Sequence, residues 1–333
     1  MRNEDPLENG QMTLDDDAYG SLGELAAKLL GGAPVLEPAR AGEPAVASGS
    51  YAVDPPFFGD GDIGRLAVCA TVNDLAAGGV APRWVTLSLT VEAGLPVALL
   101  RRVLTSAGEA AQEAEVDVRG LETRVVRAGD ANRLFAHSTA GGTAPRQPVH
   151  TRAAVPGDVL VLSSSLGGWA VHLLSVREGL GLENLVPSGC HPLNTMLRDV
   201  VRSVEPGAVR QVHRIARGGL GRVLRAQAMA AGQTIRITED ALPIQHEVGS
   251  AAELLGIDPL HTADEGCLCL FVAPDAADVV RDALRAHPYG RGAAVIGEVT
   301  DAVAPVALLV ERSGRTHLLD TRTSLRPEPS RLR

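Results

Sequence analysis

Alternating apolar and polar residues predict strands in both halves of the chain. In the run WVTLSLTVE, residues 84–92, Val85, Leu87, Leu89 and Val91 fall on one face. A period of two places successive side chains on opposite faces, as a half-buried strand requires. Similar runs predict strands at 47–53, 116–120, 124–128, 133–142, 158–165, 234–239, 267–273, 293–300 and 305–311.

Helical spacing and clear stop signals predict a helix that starts at Asp62 and runs to about Ala77. Aspartate commonly caps helix N-termini, and Gly78, Gly79 and Pro82 end the periodic stretch. Further helices are predicted at 21–30, 96–114, 168–179, 191–204, 218–232, 248–256 and 275–287.

A proline-rich stretch without periodicity, residues 142–158, separates two regions in which strands and helices alternate. We therefore expect an α/β (α+β) protein with two domains. The expected divisions are an N-terminal segment and helix at 1–44, a first domain at 45–150, a second domain at 151–325 and a tail at 326–333.

Composition excludes several classes of function. Lys28 is the only lysine, which excludes a P-loop and makes lysine Schiff-base chemistry unexpected. The net charge is −9 without a basic run, so we expect no nucleic-acid partner. No apolar run is long enough to span a membrane. The four cysteines form no C-x-x-C pair, and Cys267 and Cys269 alternate as core residues of a strand, so we expect a reducing, cytoplasmic location.

The segment GDGDIGRLAVCATVNDLAAGG, residues 59–79, carries oxygen ligands of the kind that Mg²⁺ accepts. A continuous helix from Asp62 to Asp74 would separate these two carboxylates by about 18 Å, too far to share one metal ion. Asp62 is therefore either a ligand or a helix cap. Asp74 lies near the negative end of the helix dipole and needs a compensating partner.

Two segments in the second half are further candidates. In RGGLGRVL, residues 217–224, Arg217 precedes glycines 218, 219 and 221 at a predicted helix start, which suits a phosphate seat or an ordinary tight turn. Asp264 and Glu265 stand just before a strand, where their side chains either project into a cleft or lie in a solvated turn.

These segments together resemble the HypE family of hydrogenase-maturation proteins, within the PurM/AIR synthase-like superfamily. The similarity covers GDGDIGRLAVCATVNDLAAGGVAP, LSLTVEAGLP, VRGLETRVVRAG, SGCHPLN, ARGGLGRVL, ITEDALPIQHEV, LLGIDPLHTADEG and AAVIGEVT, in order across residues 45–320. It implies a two-domain PurM/AIR synthase-like fold whose N-terminal domains pair into a dimeric β-barrel, with ATP and Mg²⁺ held between the domains by carboxylates.

The resemblance also assigns residues to roles. The catalytic set that it implies is Asp74, Glu122, Arg124 and Glu265. The implied nucleotide-binding set is Asp62, Asn73, Thr123, Arg217, Gly218 and Gly219. The implied metal ligands are Asp62, Asp74 and Glu122.

Departures from the family pattern change what the resemblance implies. Gly49 and Arg214 stand where an acid is expected, and the last cysteine is Cys269 rather than a C-terminal residue. Arg214 is able to replace part of the metal's positive charge but cannot act as a metal ligand. We therefore expect weaker metal–nucleotide binding, altered chemistry or none.

Three hypotheses of function follow. The first is ATP-dependent phosphorylation of an amide-type oxygen, with dehydration to a nitrile as its extension, on an external substrate. The second is a catalytically degenerate scaffold or partner subunit that binds nucleotide weakly or not at all. The third, ranked last, is a small-molecule kinase similar to thiamine-phosphate or selenophosphate enzymes. We expect a homodimer, with a paralogue or a substrate-carrying protein as a further partner.

Overall fold

The computed structural model describes residues 41–145, 153–301 and 304–319. The first range contains a four-stranded sheet, a short hairpin and two helices. These elements are β1 (Pro44–Tyr51), β2 (Phe57–Phe58), β3 (Gly61–Asp62), α1 (Ile63–Ala77), β4 (Pro82–Glu92), α2 (Val97–Glu113), β5 (Asp117–Val126) and β6 (Leu134–Thr143).

The first sheet has the order β1-β6-β4-β5. Strand β6 is antiparallel to both β1 and β4, and β5 runs parallel to β4. The predicted apolar face of β4 is confirmed, because Val85, Leu87, Leu89 and Val91 are all buried. Strand β5 lies at the edge of the sheet and is exposed along most of its length.

The later ranges build a second, larger sheet with helices around it. Their elements are β7 (Val159–Leu162), α3 (Gly168–Glu178), α4 (Asn194–Arg202), β8 (Val209–Ile215), α5 (Gly219–Ala231), β9 (Thr234–Thr238), α6 (His246–Leu255), β10 (Asp264–Val272), α7 (Ala277–Ala286), β11 (Ala294–Thr300), β12 (Ala307–Val310) and β13 (Thr316–Leu318). The strand order is β13-β12-β9-β11-β7-β10-β8, with β12 and β9 parallel and the other pairs antiparallel.

Helix α1 connects the two parts of the fold. It packs against α2, β1, β4 and β6 on one side and against α4 and β8 on the other. Only three of its fifteen residues are not buried, which explains its alanine- and valine-rich sequence. Polar residues on this helix consequently lie between the two sheets, where they need specific partners.

The predicted element types agree with the structure in most places. Cys267 and Cys269 are buried in the same core cluster, as their alternation predicted. The two strands predicted at 116–120 and 124–128 are one strand, β5, whose pairing with β4 shifts register between Val85 and Thr86. The predicted helix at 21–30 and the predicted tail at 326–333 lie outside the described residues. None of the described helices is both long and apolar enough to cross a membrane.

The crossing of α1 and α2 leaves no room for a side chain at Gly64. A Cβ atom there would lie 2.2 Å from the backbone carbonyl oxygen of Val103. We predict that Gly64→Ala lowers the free energy of unfolding by about 1–3 kcal/mol, because the two helix backbones must separate. Gly108→Ala is the matched control, since its Cβ meets nothing within 4 Å inside α2.

Denaturant unfolding of both variants measures the difference. The free energy of unfolding of Gly108→Ala should equal that of the wild type or exceed it by up to about 1 kcal/mol, because alanine has a higher helix propensity than glycine. Equal stability of the two variants would contradict the close helix crossing.

Candidate functional site

The charged side chains of Asp74, Arg214 and Glu265 converge where α1 meets the second sheet. One guanidinium nitrogen of Arg214 lies 2.7 Å from the Asp74 carboxylate, and the other terminal nitrogen lies 2.5 Å from the Glu265 carboxylate. The Arg214 side chain is 12% exposed, the Glu265 side chain 14% and the Asp74 side chain 40%. The arginine is therefore buried between its partners, and Asp74 lies on the solvent side.

Local structure explains why these three residues meet. Asp74 lies in the last turn of α1, and Arg214 is the penultimate residue of β8. The pairing of β10 with β8 shifts register between Asp264 and Leu268. Glu265 lies in this irregular stretch, which is freed from regular strand pairing. Burial disfavours the charged guanidinium, but the Glu265 and Asp74 carboxylates outweigh it and raise the pKa of Arg214 above its usual value.

A network of hydroxyl groups adjoins the charged cluster. The Tyr51 hydroxyl lies 2.6 Å from the Thr71 hydroxyl, and Thr71 also bonds to Ser138 on β6. Burial raises the pKa of Tyr51 to about 12, so its phenol is neutral at physiological pH. A Cβ at Gly49 would lie 2.1 Å from the Tyr51 hydroxyl oxygen, so glycine is what allows the ring to fold back over β1.

Asp62 and Asn73 lie at structural joints of the fold. The Asp62 carboxylate accepts hydrogen bonds from the Gly64 backbone N–H at 2.9 Å and the Ser106 hydroxyl at 2.6 Å, so its role as the N-cap of α1 is confirmed. The Asn73 side chain donates to the His191 carbonyl at 2.9 Å and accepts from the Leu193 N–H at 2.6 Å. Asn73 thus ties α1 to the loop before α4.

The predicted metal ligands are not brought together. Because α1 is continuous, Asp62 and Asp74 lie at opposite ends of it, about 18 Å apart. Glu122 lies on the edge strand β5. Within the ranges that the structure describes, no three His, Cys, Asp or Glu side chains are grouped closely enough to hold a metal ion. The donor set does not fit a magnesium ion shared by these acids.

Glu122, Thr123 and Arg124 lie on exposed β5, away from the charged cluster. The strand register places Thr123 level with Tyr51, through Leu89 and Ala136 on the intervening strands. Three strand spacings separate them, which is about 14 Å. Directly paired residues share a face of the sheet, so Thr123 is on the helix-covered side, and Glu122 and Arg124 are on the other.

The glycines at the start of α5 make close contacts with a neighbouring loop. Gly218 and Gly219 have positive φ angles of 84° and 67°. A Cβ at Gly219 would lie 2.4 Å from the Leu260 carbonyl oxygen. The Gly221 N–H donates to the same Leu260 oxygen at 2.9 Å. These contacts account for Gly219 and Gly221 through packing, and Arg217 lies just before them in the turn.

Sequence reasoning missed a second polar cluster, which joins α1 and α2 to the second part of the fold. Arg65 donates to the Cys190 carbonyl at 2.7 Å, to Glu113 at 2.7 Å and to Nδ1 of His191 at 3.0 Å. Tyr289 stacks on His191 with ring centroids 3.8 Å apart and donates to Glu113. Burial and the Arg65 charge lower the pKa of His191. Arg65, Cys190 and His191 lie in two of the segments that carry the resemblance, but Glu113 and Tyr289 do not, and no sequence signal indicated that these residues meet.

Hairpin β2–β3 is joined to the second part of the fold by a buried histidine that sequence reasoning also missed. The ring nitrogens of His172 lie 2.7 Å from the Val186 carbonyl oxygen and 2.8 Å from the Phe58 carbonyl oxygen. Asp60, next to this hairpin, accepts from the Ser188 N–H at 3.0 Å. The acidic GDGD segment is thereby held in place.

Asp264 is buried beside the cluster rather than placed in a solvated turn. Its carboxyl group accepts from the Gly167 N–H at 2.8 Å and the Gly266 N–H at 3.0 Å. Burial raises the pKa of Asp264 from 3.8 to about 7, although the two backbone hydrogen bonds oppose the shift. The folded protein therefore holds a proton that the unfolded chain releases at lower pH.

This raised pKa predicts a specific dependence of stability on pH. Between about pH 4 and 7 the folded state binds more protons at Asp264 than the unfolded state does, so the free energy of unfolding falls as the pH rises. The contribution is up to about 1.4 kcal/mol per pH unit. We predict that Asp264→Asn removes this part of the slope. Denaturant unfolding at several pH values measures it, with Asp275→Asn at an exposed position as control. An unchanged slope in Asp264→Asn would contradict the raised pKa.

Comparison with known proteins places this geometry in a family. The model of the AIR synthase related protein, N-terminal domain, matches residues 32–144, and that of the C-terminal domain matches residues 155–308. Carbamoyl dehydratase HypE of Escherichia coli (strain K12) is 38% identical over 262 residues, which are 77% of this chain and 76% of that protein.

Solved structures agree with the sequence comparison. A hydrogenase maturation protein HypE in complex with ATP superposes with a TM-score of 0.81 at 32% identity, covering 89% of each chain. A HypE from a HypE–HypF complex gives a TM-score of 0.78 at 33% identity, covering 83% of this chain and 90% of the other. The chain therefore belongs to the HypE family of AIR synthase-related proteins and has their PurM-like two-domain α/β fold.

Proposed function

We propose that the chain is a HypE-like, ATP-dependent protein that activates an amide-type oxygen on an external substrate. The observation that carries the proposal is the convergence of Asp74, Arg214 and Glu265 at one partly exposed position. It is supported by relatives named carbamoyl dehydratase and by a HypE solved with ATP.

The proposed chemistry converts a poor leaving group into a good one. The amide oxygen attacks the terminal phosphorus of ATP, and the bond to ADP breaks. If both N–H protons then leave, departure of phosphate breaks the C–O bond and yields a nitrile. Arg214 is suited to donate hydrogen bonds to the phosphate oxygens that gain charge, and its two carboxylates keep it oriented. Tyr51 is suited to act as a neutral hydrogen-bonding group.

An external substrate is favoured because all four cysteines in the sequence are buried: Cys69, Cys190, Cys267 and Cys269. None of these thiols is accessible for carrying a carbamoyl group. The amide would instead arrive on a small molecule or on a partner protein. A HypE has been solved in complex with HypF, which is a precedent for a protein partner.

The other residues predicted at the site remain proposals. Asp62 and Asn73 have their side-chain oxygens engaged in hydrogen bonds of the fold, which favours positioning roles. Glu122 and Arg124 remain proposed catalytic residues, and Thr123, Arg217, Gly218 and Gly219 remain proposed contacts to the nucleotide.

A second candidate function is a scaffold or partner subunit without its own catalysis. The observation that favours it is the saturation of Asp74 and Glu265 by Arg214. Two carboxylates that are already paired offer less attraction to a metal–nucleotide complex than free ones do. Nucleotide binding by the purified protein separates the two candidates.

We predict that the wild type binds ATP and that Arg214→Gln weakens this binding at least about tenfold, since a charge-assisted contact to phosphate is lost. Arg236→Gln is the matched control, because Arg236 is 51% exposed and pairs with Glu298 elsewhere in the second sheet. Calorimetric titration with ATP measures all three proteins. No binding by the wild type would leave the scaffold as the function, and equal loss in both variants would contradict the role of Arg214.

We also propose that the protein forms a homodimer through the first sheet. On edge strand β5, Val118, Leu121 and Val125 are 47%, 53% and 71% exposed. The register aligns them with Val85, Leu87 and Val91, so they extend the apolar face of β4 beyond the helices that cover it. An uncovered apolar edge strand favours pairing with a second sheet.

A charged residue on this strand should separate the dimer. We predict that Val125→Arg shifts the protein to monomer at micromolar concentration, measured by analytical ultracentrifugation. Val279→Arg is the control, since Val279 is 47% exposed on α7, outside the first sheet. A wild-type monomer, or a Val125→Arg dimer as stable as the wild type, would contradict the proposed interface.

A further inference from the structure

We infer that Arg214 takes the place of a divalent cation between Asp74 and Glu265, so that this site carries a covalently attached cation and loads no metal ion. The inference rests on the proposed function only for the identity of the anionic ligand. The claim that no metal ion binds between Asp74 and Glu265 concerns the protein without nucleotide, and it does not depend on the proposed function.

The first support is the position of the guanidinium. It lies between two carboxylates that come from α1 and β10, at 2.7 and 2.5 Å from their oxygens, with a separate nitrogen for each. A metal ion that bridged Asp74 and Glu265 would have to occupy the same place. Since Arg214 is tethered to β8 and buried, a metal would have to expel it from two ion pairs.

The second support is the balance of charge. A divalent ion held with one additional acid would contribute a net charge of +1 to the Asp74–Glu265 pair. Arg214 contributes the same charge without an exchangeable ion. An incoming anion would therefore meet the same net charge in either arrangement, although the chemical nature of the cation differs.

The third support is the shortage of oxygen ligands. Magnesium requires near-octahedral coordination, and proteins usually bind it through one or two free carboxylates together with waters and substrate phosphates, whereas Asp74 and Glu265 are both already paired with Arg214. In the described ranges no three His, Cys, Asp or Glu side chains are grouped closely enough to hold a metal ion. On β1, Gly49 has no side chain, and the Tyr51 ring fills the space where one would extend. On this side the site is lined by the neutral hydroxyl group of Tyr51, which is hydrogen-bonded to Thr71.

The Arg214 guanidinium has more N–H donors than its two carboxylate partners require, so it can also bind a ligand. A guanidinium has five N–H donors in a fixed plane, whereas its two carboxylate partners require only some of them. A phosphate oxygen that approaches from the exposed Asp74 side can accept one of the others. The ligand class that follows is a phosphate or polyphosphate that binds without a metal ion at this position.

Manganese is the direct probe, because its electron paramagnetic resonance signal reports free and bound ion. Titration of Mn²⁺ into the wild-type protein should show no tight site that responds to Asp74→Asn. In Arg214→Asp, three acids from α1, β8 and β10 would converge, and we expect one new Mn²⁺ site per chain with at least tenfold higher affinity. Arg236→Asp, which places an acid beside Glu298 in the same sheet, is the control and should gain no such site.

A second measurement keeps the inference testable if Arg214→Asp does not fold. Binding of a fluorescent ATP analogue to the wild type should change less than threefold between excess Mg²⁺ and EDTA. A tight Mn²⁺ site in the wild type that Asp74→Asn abolishes would overturn the inference, as would loss of nucleotide binding in EDTA. Absence of any nucleotide binding would remove the proposed function, and the manganese titration would still decide the inference.

Discussion

A single buried guanidinium holds two carboxylates from different parts of the fold, and the arrangement of the site depends on it. Arg214 joins the last turn of α1 to the irregular start of β10. Without this cation, Asp74 and Glu265 would face each other as two unpaired negative charges, one of them largely buried. Their repulsion and desolvation would then favour separation of α1 from the second sheet. The residue that we assign to the proposed chemistry thus also holds the two parts of the fold together.

Helix α1 makes this arrangement rigid. Its buried apolar residues fix it against the first sheet, and its polar residues reach the second part of the fold through Arg65, Asn73 and Asp74. Arg65 lies in the first turn of this helix, and Asn73 and Asp74 are adjacent near its C-terminal end, so the three move as a unit. A site supported from a packed helix and two sheet strands retains its geometry better than one built on loops. The contacts of Asn73 and Arg65 are therefore part of how the charged cluster is positioned.

Most of the fold was predictable because its signals are local. The alternation in β4 and the caps of α1 are set by neighbouring residues, and the wide separation of Asp62 and Asp74 followed from helix rise alone. The partners of Arg214 were not predictable, since they depend on the order of β8 and β10 and on the register shift before Leu268. The glycines at α5 suggested a phosphate seat, but their contacts come from Leu260, about forty residues later in the chain. Long-range packing is what the sequence pattern could not supply.

The most direct test of an arginine cation in this site is an experimental crystal structure grown with Mn²⁺ and a non-hydrolysable ATP analogue. Anomalous diffraction at the manganese edge locates the metal independently of the protein density. The account predicts guanidinium density between Asp74 and Glu265 and no anomalous peak between those carboxylates. A manganese peak coordinated by both carboxylates, with Arg214 displaced from them, would contradict it.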